Sequence, residues 1–103
     1  MTIEARVAAI LAEAAREVGV AGSVAGALTK WSIREVPFAV LDGGAAAEFH
    51  LDRVLASAAR RTRDAAPSPR GEDWVRFSPP AIDQFAEDRL RAWFGAAHRR
   101  AAR

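Results

Sequence analysis

Apolar positions near the start of the chain recur at helical spacing. Ile3, Val7, Ile10, Leu11, Ala14 and Val18 fall on one face, as a period of 3.6 residues requires. The spacing predicts a helix over 2–18, with Thr2 as its cap and Glu4 in the first turn, where the helix dipole favours an anion. Gly19 stands where a left-handed residue would stop it. Gly19, Gly22 and Gly26 then argue against further helix, so 19–28 reads as a loop entering a strand. From 29 the period becomes two. Trp31 and Ile33 face one way, while Lys30, Ser32 and Arg34 face the other. This predicts a half-buried strand over 29–36, ended by Pro37. A second strand follows at 38–41, a turn at Asp42-Gly43-Gly44, and a third strand at 47–51 with Ala47, Phe49 and Leu51 on one face. Residues 38–51 therefore form a hairpin.

Asp52 is placed to cap a helix running to Arg61, with Val54, Leu55, Ala58 and Ala59 turned inward. The stretch 63–73 carries Pro67, Pro69 and Gly71 among charges and reads as a loop. Trp74–Phe77 is a fourth strand, with Val75 and Phe77 on one face and Trp74 and Arg76 on the other. Ser78-Pro79-Pro80 then opens the last helix, because serine caps well and proline suits the first helical position. Ile82, Phe85, Ala86, Leu90, Trp93, Phe94 and Ala97 give that helix a wide apolar stripe, and residues 101–103 are expected to fray. The order α-β-β-β-α-β-α describes one α+β domain over 1–103, a mostly antiparallel sheet with helices on one side.

Composition sharpens this picture at three points. Alanine supplies 25 residues, about half of the apolar total, so the core must lean on eight aromatic side chains: Trp31, Phe38, Phe49, Trp74, Phe77, Phe85, Trp93 and Phe94. Cysteine is absent, which excludes disulfides, zinc–thiolate sites and thiol nucleophiles and fits a reducing, cytoplasmic setting. No apolar run is long enough for a membrane span, and the first residues lack the pattern of a signal peptide. The charge is uneven: residues 1–50 carry 4 basic and 6 acidic side chains, a balance of −2, and residues 51–103 carry 11 and 7, a balance of +4.

Three groups of residues carry candidate chemistry. Arg60, Arg61, Arg63, Arg70 and Arg76 cluster in sequence around Trp74. On one surface they would bind phosphates, each neutralised phosphate adding about 0.9 to the salt slope, and an open Trp74 would stack a base. The plainer alternative pairs these arginines with Asp64, Glu72 and Asp73. Glu48, His50 and Asp52 alternate along one strand, so His50 oriented by Asp52 is a candidate general base, against the plainer reading of a solvated sheet face. His98, Arg99, Arg100 and Arg103 suit a helix C-terminus. Two of Glu48, His50 and Asp52 would also suit a divalent metal, but no further ligand is identifiable in other segments, so neither a metal nor a cofactor is expected.

The segments Pro37-Phe38-Ala39-Val40-Leu41, Ala47-Glu48-Phe49-His50-Leu51 and Arg70-Gly71-Glu72-Asp73-Trp74-Val75-Arg76-Phe77, in this order and with a helix led by Asp52 between them, resemble the MmcQ/YjbR-like family of small bacterial α+β domains over about 30–100. Small luciferase-associated domains have a similar outline. Many family members carry a histidine-methionine-asparagine-lysine run before the tryptophan; Ser68-Pro69-Arg70-Gly71-Glu72-Asp73 stands there in this chain. The resemblance implies a DNA-binding-like arrangement of the sheet and supplies no catalytic set. The expectation is a non-catalytic binding module touching nucleic acid through Arg60, Arg61, Arg63, Arg70, Trp74 and Arg76. Its alternative is an accessory domain that holds a protein partner or small ligand in a groove between the sheet and the last helix.

Overall fold

The computed structural model describes all 103 residues. Nine elements follow in order: α1 (Ile3–Glu17), β1 (Gly22–Ala25), β2 (Leu28–Ile33), β3 (Val36–Asp42), β4 (Ala47–His50), α2 (Arg53–Ala59), β5 (Ala65–Ser68), β6 (Gly71–Phe77) and α3 (Gln84–Ala102). The strands form one antiparallel sheet in the order β1-β2-β3-β4-β6-β5. The expected series of elements is all here, with two further strands, β1 and β5, and each forms an edge of the sheet.

Both additions lie in segments expected to be loops. Gly22–Ala25 doubles back on β2 through Gly26-Ala27, where Gly26 at φ +63° supplies the left-handed first position of a type II′ turn. Ala65–Ser68 pairs with β6 despite Pro67, which is tolerated because the strand is at an edge. The single strand expected over 29–36 is instead broken. Arg34 (φ 53°) and Glu35 (φ 68°) form a two-residue turn from β2 into β3, and Pro37 lies inside β3 rather than ending a strand. Two consecutive left-handed non-glycine residues cost roughly 1–2 kcal/mol each. That is why nothing in Arg-Glu announced a turn.

The caps explain the helix boundaries. The Thr2 hydroxyl accepts from the Ala5 N–H at 3.1 Å and Asp52 from the Leu55 N–H at 2.7 Å, both as expected. α1 ends in a Schellman motif: Val20 N–H donates to the Ala15 carbonyl and Gly19 N–H to that of Arg16. α3 starts later than expected, at Gln84, because Asp83 and not Ser78 is its cap; Asp83 accepts from the Ala86 N–H at 2.8 Å. Residues 101–102 remain helical.

Register divides the sheet into two faces. The rows Trp31–Ala39–Phe49–Val75 and Thr29–Leu41–Ala47–Phe77 face the helices, and all three helices contribute to the same core cluster. The row Lys30–Val40–Glu48–Arg76 faces the other way. A bulge at β2–β3 leaves Phe38 without a register partner, and its ring meets α3. Within α3, Phe94 stands edge-on to Trp31 at 5.6 Å and to Phe38 at 5.4 Å, while Trp93 stands edge-on to Phe49 at 6.3 Å and to Phe77 at 5.2 Å. Seven of the eight aromatics are buried; Phe85 is half-buried. Truncating Phe94 to Ala empties the junction of helix and sheet and is expected to cost about 3–5 kcal/mol, read as a lowered urea midpoint at unchanged m-value.

Candidate ligand-binding groove

The polar face of the sheet holds part of the charge expected to be functional, Glu48, His50, Arg70 and Arg76, and these side chains are engaged with one another and with Ser68, Asp42 and Asp73. Glu48 projects from the centre of β4 with its side chain only 4% exposed. Its carboxylate accepts from the Ser68 hydroxyl at 2.5 Å and from Arg70 Nε at 3.1 Å, with Arg76 Nη1 at 3.6 Å. Arg76 also donates to Asp42 at 2.5 Å. A carboxylate on a central strand is buried here because β5, β6 and their tight turn supply every partner it needs.

Trp74 lies on the same face, 8% exposed. The His50 ring stacks on it at 4.8 Å and 10°, and the Arg70 guanidinium carbon stands 5.6 Å from its centroid. Its ring is thus engaged within the chain, whereas base stacking needs an open face. His50 Nε2 lies 2.5 Å from Asp73 Oδ2. This hydrogen bond, helped by the positive charges of His50 and Arg100, holds the Asp73 carboxyl below its ordinary value. The partner of His50 is therefore Asp73 and not Asp52, whose Oδ1 caps α2. Sequence spacing favoured Asp52; the β4–β6 register, pairing His50 with Trp74, brings Asp73 alongside instead.

The remaining arginines stand elsewhere. Arg60 donates to the Glu72 carbonyl at 2.7 Å. Arg63 pairs with Asp83 at 3.2 Å and Asp64 at 3.7 Å and lies over the Phe85 ring. Arg61 is exposed and has no such partner. Arg53, not an arginine of the expected set, takes the Glu72 carboxylate. The six expected nucleic-acid residues thus fall into two groups: Arg70, Trp74 and Arg76 on the open sheet face, and Arg60, Arg61 and Arg63 at the end of α2. A second set of cations, Arg34, Arg100 and Arg103, lines a cleft with Asp52 beside the last turn of α3, where the negative end of the helix dipole favours cations. No group of three or more His, Asp or Glu side chains is arranged to hold a metal ion.

The most apolar concavity is at the other end of the sheet. α1 crosses above β1 and β2 without covering them, leaving a groove of about 350 Å³. Ala8, Ala12, Ala15 and Arg16 of α1 form one wall; Val20, Ala21, Gly22, Val24, Thr29, Trp31 and Leu41 form the floor and the other. Two features open it. The α1 wall is alanine, too short to reach the sheet, and β1 sits at the edge with Val24 72% exposed. The expected groove between sheet and last helix is instead packed with Trp93 and Phe94; the open one belongs to the first helix. Sequence reading missed it because it needs β1, which was expected to be a loop. Glycine punctuation at 22 and 26 was the available signal.

No family model matches the chain, and no curated protein or solved structure shows significant similarity to it. No helix is long and apolar enough to cross a membrane.

Two measurements check the polar face. Glu48→Ala leaves the Ser68 hydroxyl and the Arg70 guanidinium without their acceptor and is expected to destabilise by about 1–3 kcal/mol in urea unfolding; Glu48→Gln, which keeps an acceptor oxygen, is expected to cost less. The Asp73 carboxyl is lower in the folded chain than its ordinary value of 3.8. Its stabilising effect is therefore complete above that value and drains away as pH falls through the lowered folded value. Thermal unfolding between neutral pH and pH 3 is expected to fall less steeply in Asp73→Asn than in the natural chain.

Proposed function

We propose that the protein is a non-catalytic binding module of the MmcQ/YjbR-like type that holds a small apolar ligand in the groove between α1 and the β1–β2 hairpin. The observation that carries this reading is the groove itself: about 350 Å³, within the range of roughly 300–1,000 Å³ of small-molecule sites, and lined mostly by apolar side chains with a few polar ones. The carboxylates singled out as candidate catalytic groups are engaged within the chain. Glu48 has its acceptor capacity filled by Ser68 and Arg70, and Asp52 is a helix cap, so neither is poised against a reacting group as a general base must be. Segments 37–41, 47–51 and 70–77, which carry the family resemblance, contribute β3, β4 and β6 to the sheet interior, and Leu41 of β3 reaches the groove.

The nucleic-acid reading has a narrower footing. Three of its five arginines, Arg63, Arg70 and Arg76, are ion-paired within the chain; Arg60 donates to a backbone carbonyl and Arg61 has no partner. Counterion release needs several free cations on one surface.

Adding octan-1-ol to the purified chain is expected to raise the melting temperature. At a ligand concentration 100 times Kd the stabilisation is about 2.7 kcal/mol, roughly 10 °C for a domain of this size. Ala12→Phe fills the groove from α1, whose Ala12 is only half-buried, and is expected to abolish the shift. A shift that survives Ala12→Phe would put the ligand elsewhere. Salt-dependent binding of a labelled duplex or single strand, weakened by Arg60, Arg61 and Arg63 changes to Ala, would favour nucleic acid instead.

A further inference from the structure

We infer that the ligand of the α1–β1–β2 groove is a small carboxylic acid with an apolar body, its carboxylate held by Arg16, Trp31 and Thr29. This rests on the binding reading above and adds the chemistry of the ligand head.

Every polar side chain in the groove is able to donate a hydrogen bond, and no Asp or Glu lines it. Arg16, exposed in the last turn of α1, forms no ion pair. The acids that flank it on α1, Glu13 and Glu17, are taken by Arg91 of α3 at 3.2 Å and 3.9 Å. The groove's cation is thus left free by the packing of α1 against α3. Trp31 is 3% exposed, and its indole N–H meets no acceptor in the chain, although a buried indole N–H usually finds one. The nitrogen is not among the fully buried unpaired atoms, of which Arg89 Nε is the sole example, so it keeps access to the groove. The Thr29 hydroxyl, on the same face of β2, also has no partner in the chain.

Gly22 keeps the edge of the indole clear. A Cβ at this position would stand 2.9 Å from Trp31 Nε1 and 3.1 Å from Thr29 Cγ2. The backbone of Gly22 pairs across from Trp31 in ordinary strand register, so its conformation alone does not demand glycine. What demands it is the close approach of the ring.

One free cation and two neutral donors match a monoanion rather than a phosphate dianion. A guanidinium fork meets a carboxylate through two parallel bonds, and a charge-assisted bond is about twice as strong as a neutral one. Ala8, Ala12, Val20, Val24 and Leu41 leave the rest of the space apolar, which suits an unbranched or ring-bearing hydrocarbon body.

The test uses octanoate, octan-1-ol and octylamine, three probes with one body and different heads. Isothermal calorimetry is expected to find octanoate about tenfold tighter than octan-1-ol, with octylamine weakest. Octanoate is expected to move the Trp31 indole N–H resonance, identified by its loss in Trp31→Phe. Arg16→Gln, a change at an exposed position, is expected to lower octanoate affinity about tenfold, to the level of octan-1-ol in the natural chain. Equal binding of octanoate and octan-1-ol, or octanoate binding untouched by Arg16→Gln, overturns the carboxylate assignment and leaves the groove reading standing. Preferred binding of octylamine does the same. Failure of all three probes to bind overturns the groove reading and this assignment with it.

Discussion

Two adjacent side chains of α3, Trp93 and Phe94, hold the two halves of the sheet together. Phe94 meets Trp31 and Phe38 on β2 and β3; Trp93 meets Phe49 and Phe77 on β4 and β6. Neighbours on a helix diverge by about 100° around its axis, so the pair spreads across four strands instead of stacking on one. In a chain whose apolar content is half alanine, this is where large side chains concentrate. The bulge at Phe38 serves the same contact by turning one more ring toward α3. Everything else in the helical layer is arranged around it: α1 packs against α3, and α2 contributes only Ala56 and Ala59 to the core.

That concentration has a cost at the sheet's β1 end. With α3 centred over β2 to β6, the corner at β1 is left to α1, whose inward-facing residues near it are alanines. Short side chains let the helix lie close without filling the space beneath. The α1–α3 contact also draws Glu13 and Glu17 to Arg91, which leaves Arg16 unpaired above the hollow. The groove and its charge thus have one origin, the packing of α1 on α3.

The other face of the sheet shows the opposite economy. A buried carboxylate is expensive unless its acceptor sites are filled. Glu48 is surrounded by Ser68, Arg70 and Arg76, all from the β5–β6 hairpin. The hairpin's charged chemistry is consumed in fastening it to β4. High local density of arginine in the sequence is therefore no guide to free positive charge on this surface. The same hairpin brings Asp73 to His50 and sets the Arg70 guanidinium near Trp74, so the aromatic ring that looked available in sequence is covered by its own neighbours.

The sequence by itself determined the helix caps at Thr2 and Asp52, the stop at Gly19, the 38–51 hairpin, the faces of β4 and β6 and the α+β class. Each follows from local spacing or from a residue whose conformation acts within a turn or two. It concealed β1 and β5, because edge strands bury little and so carry glycine and proline that read as loop. It also concealed the Arg34-Glu35 turn, whose left-handed residues are held by the strands on either side and not by their own preference. Tertiary structure alone decided which carboxylate meets His50, which arginines are spent, and where the chain stays open. Those outcomes depend on register and on helix packing, and both join residues far apart in the chain.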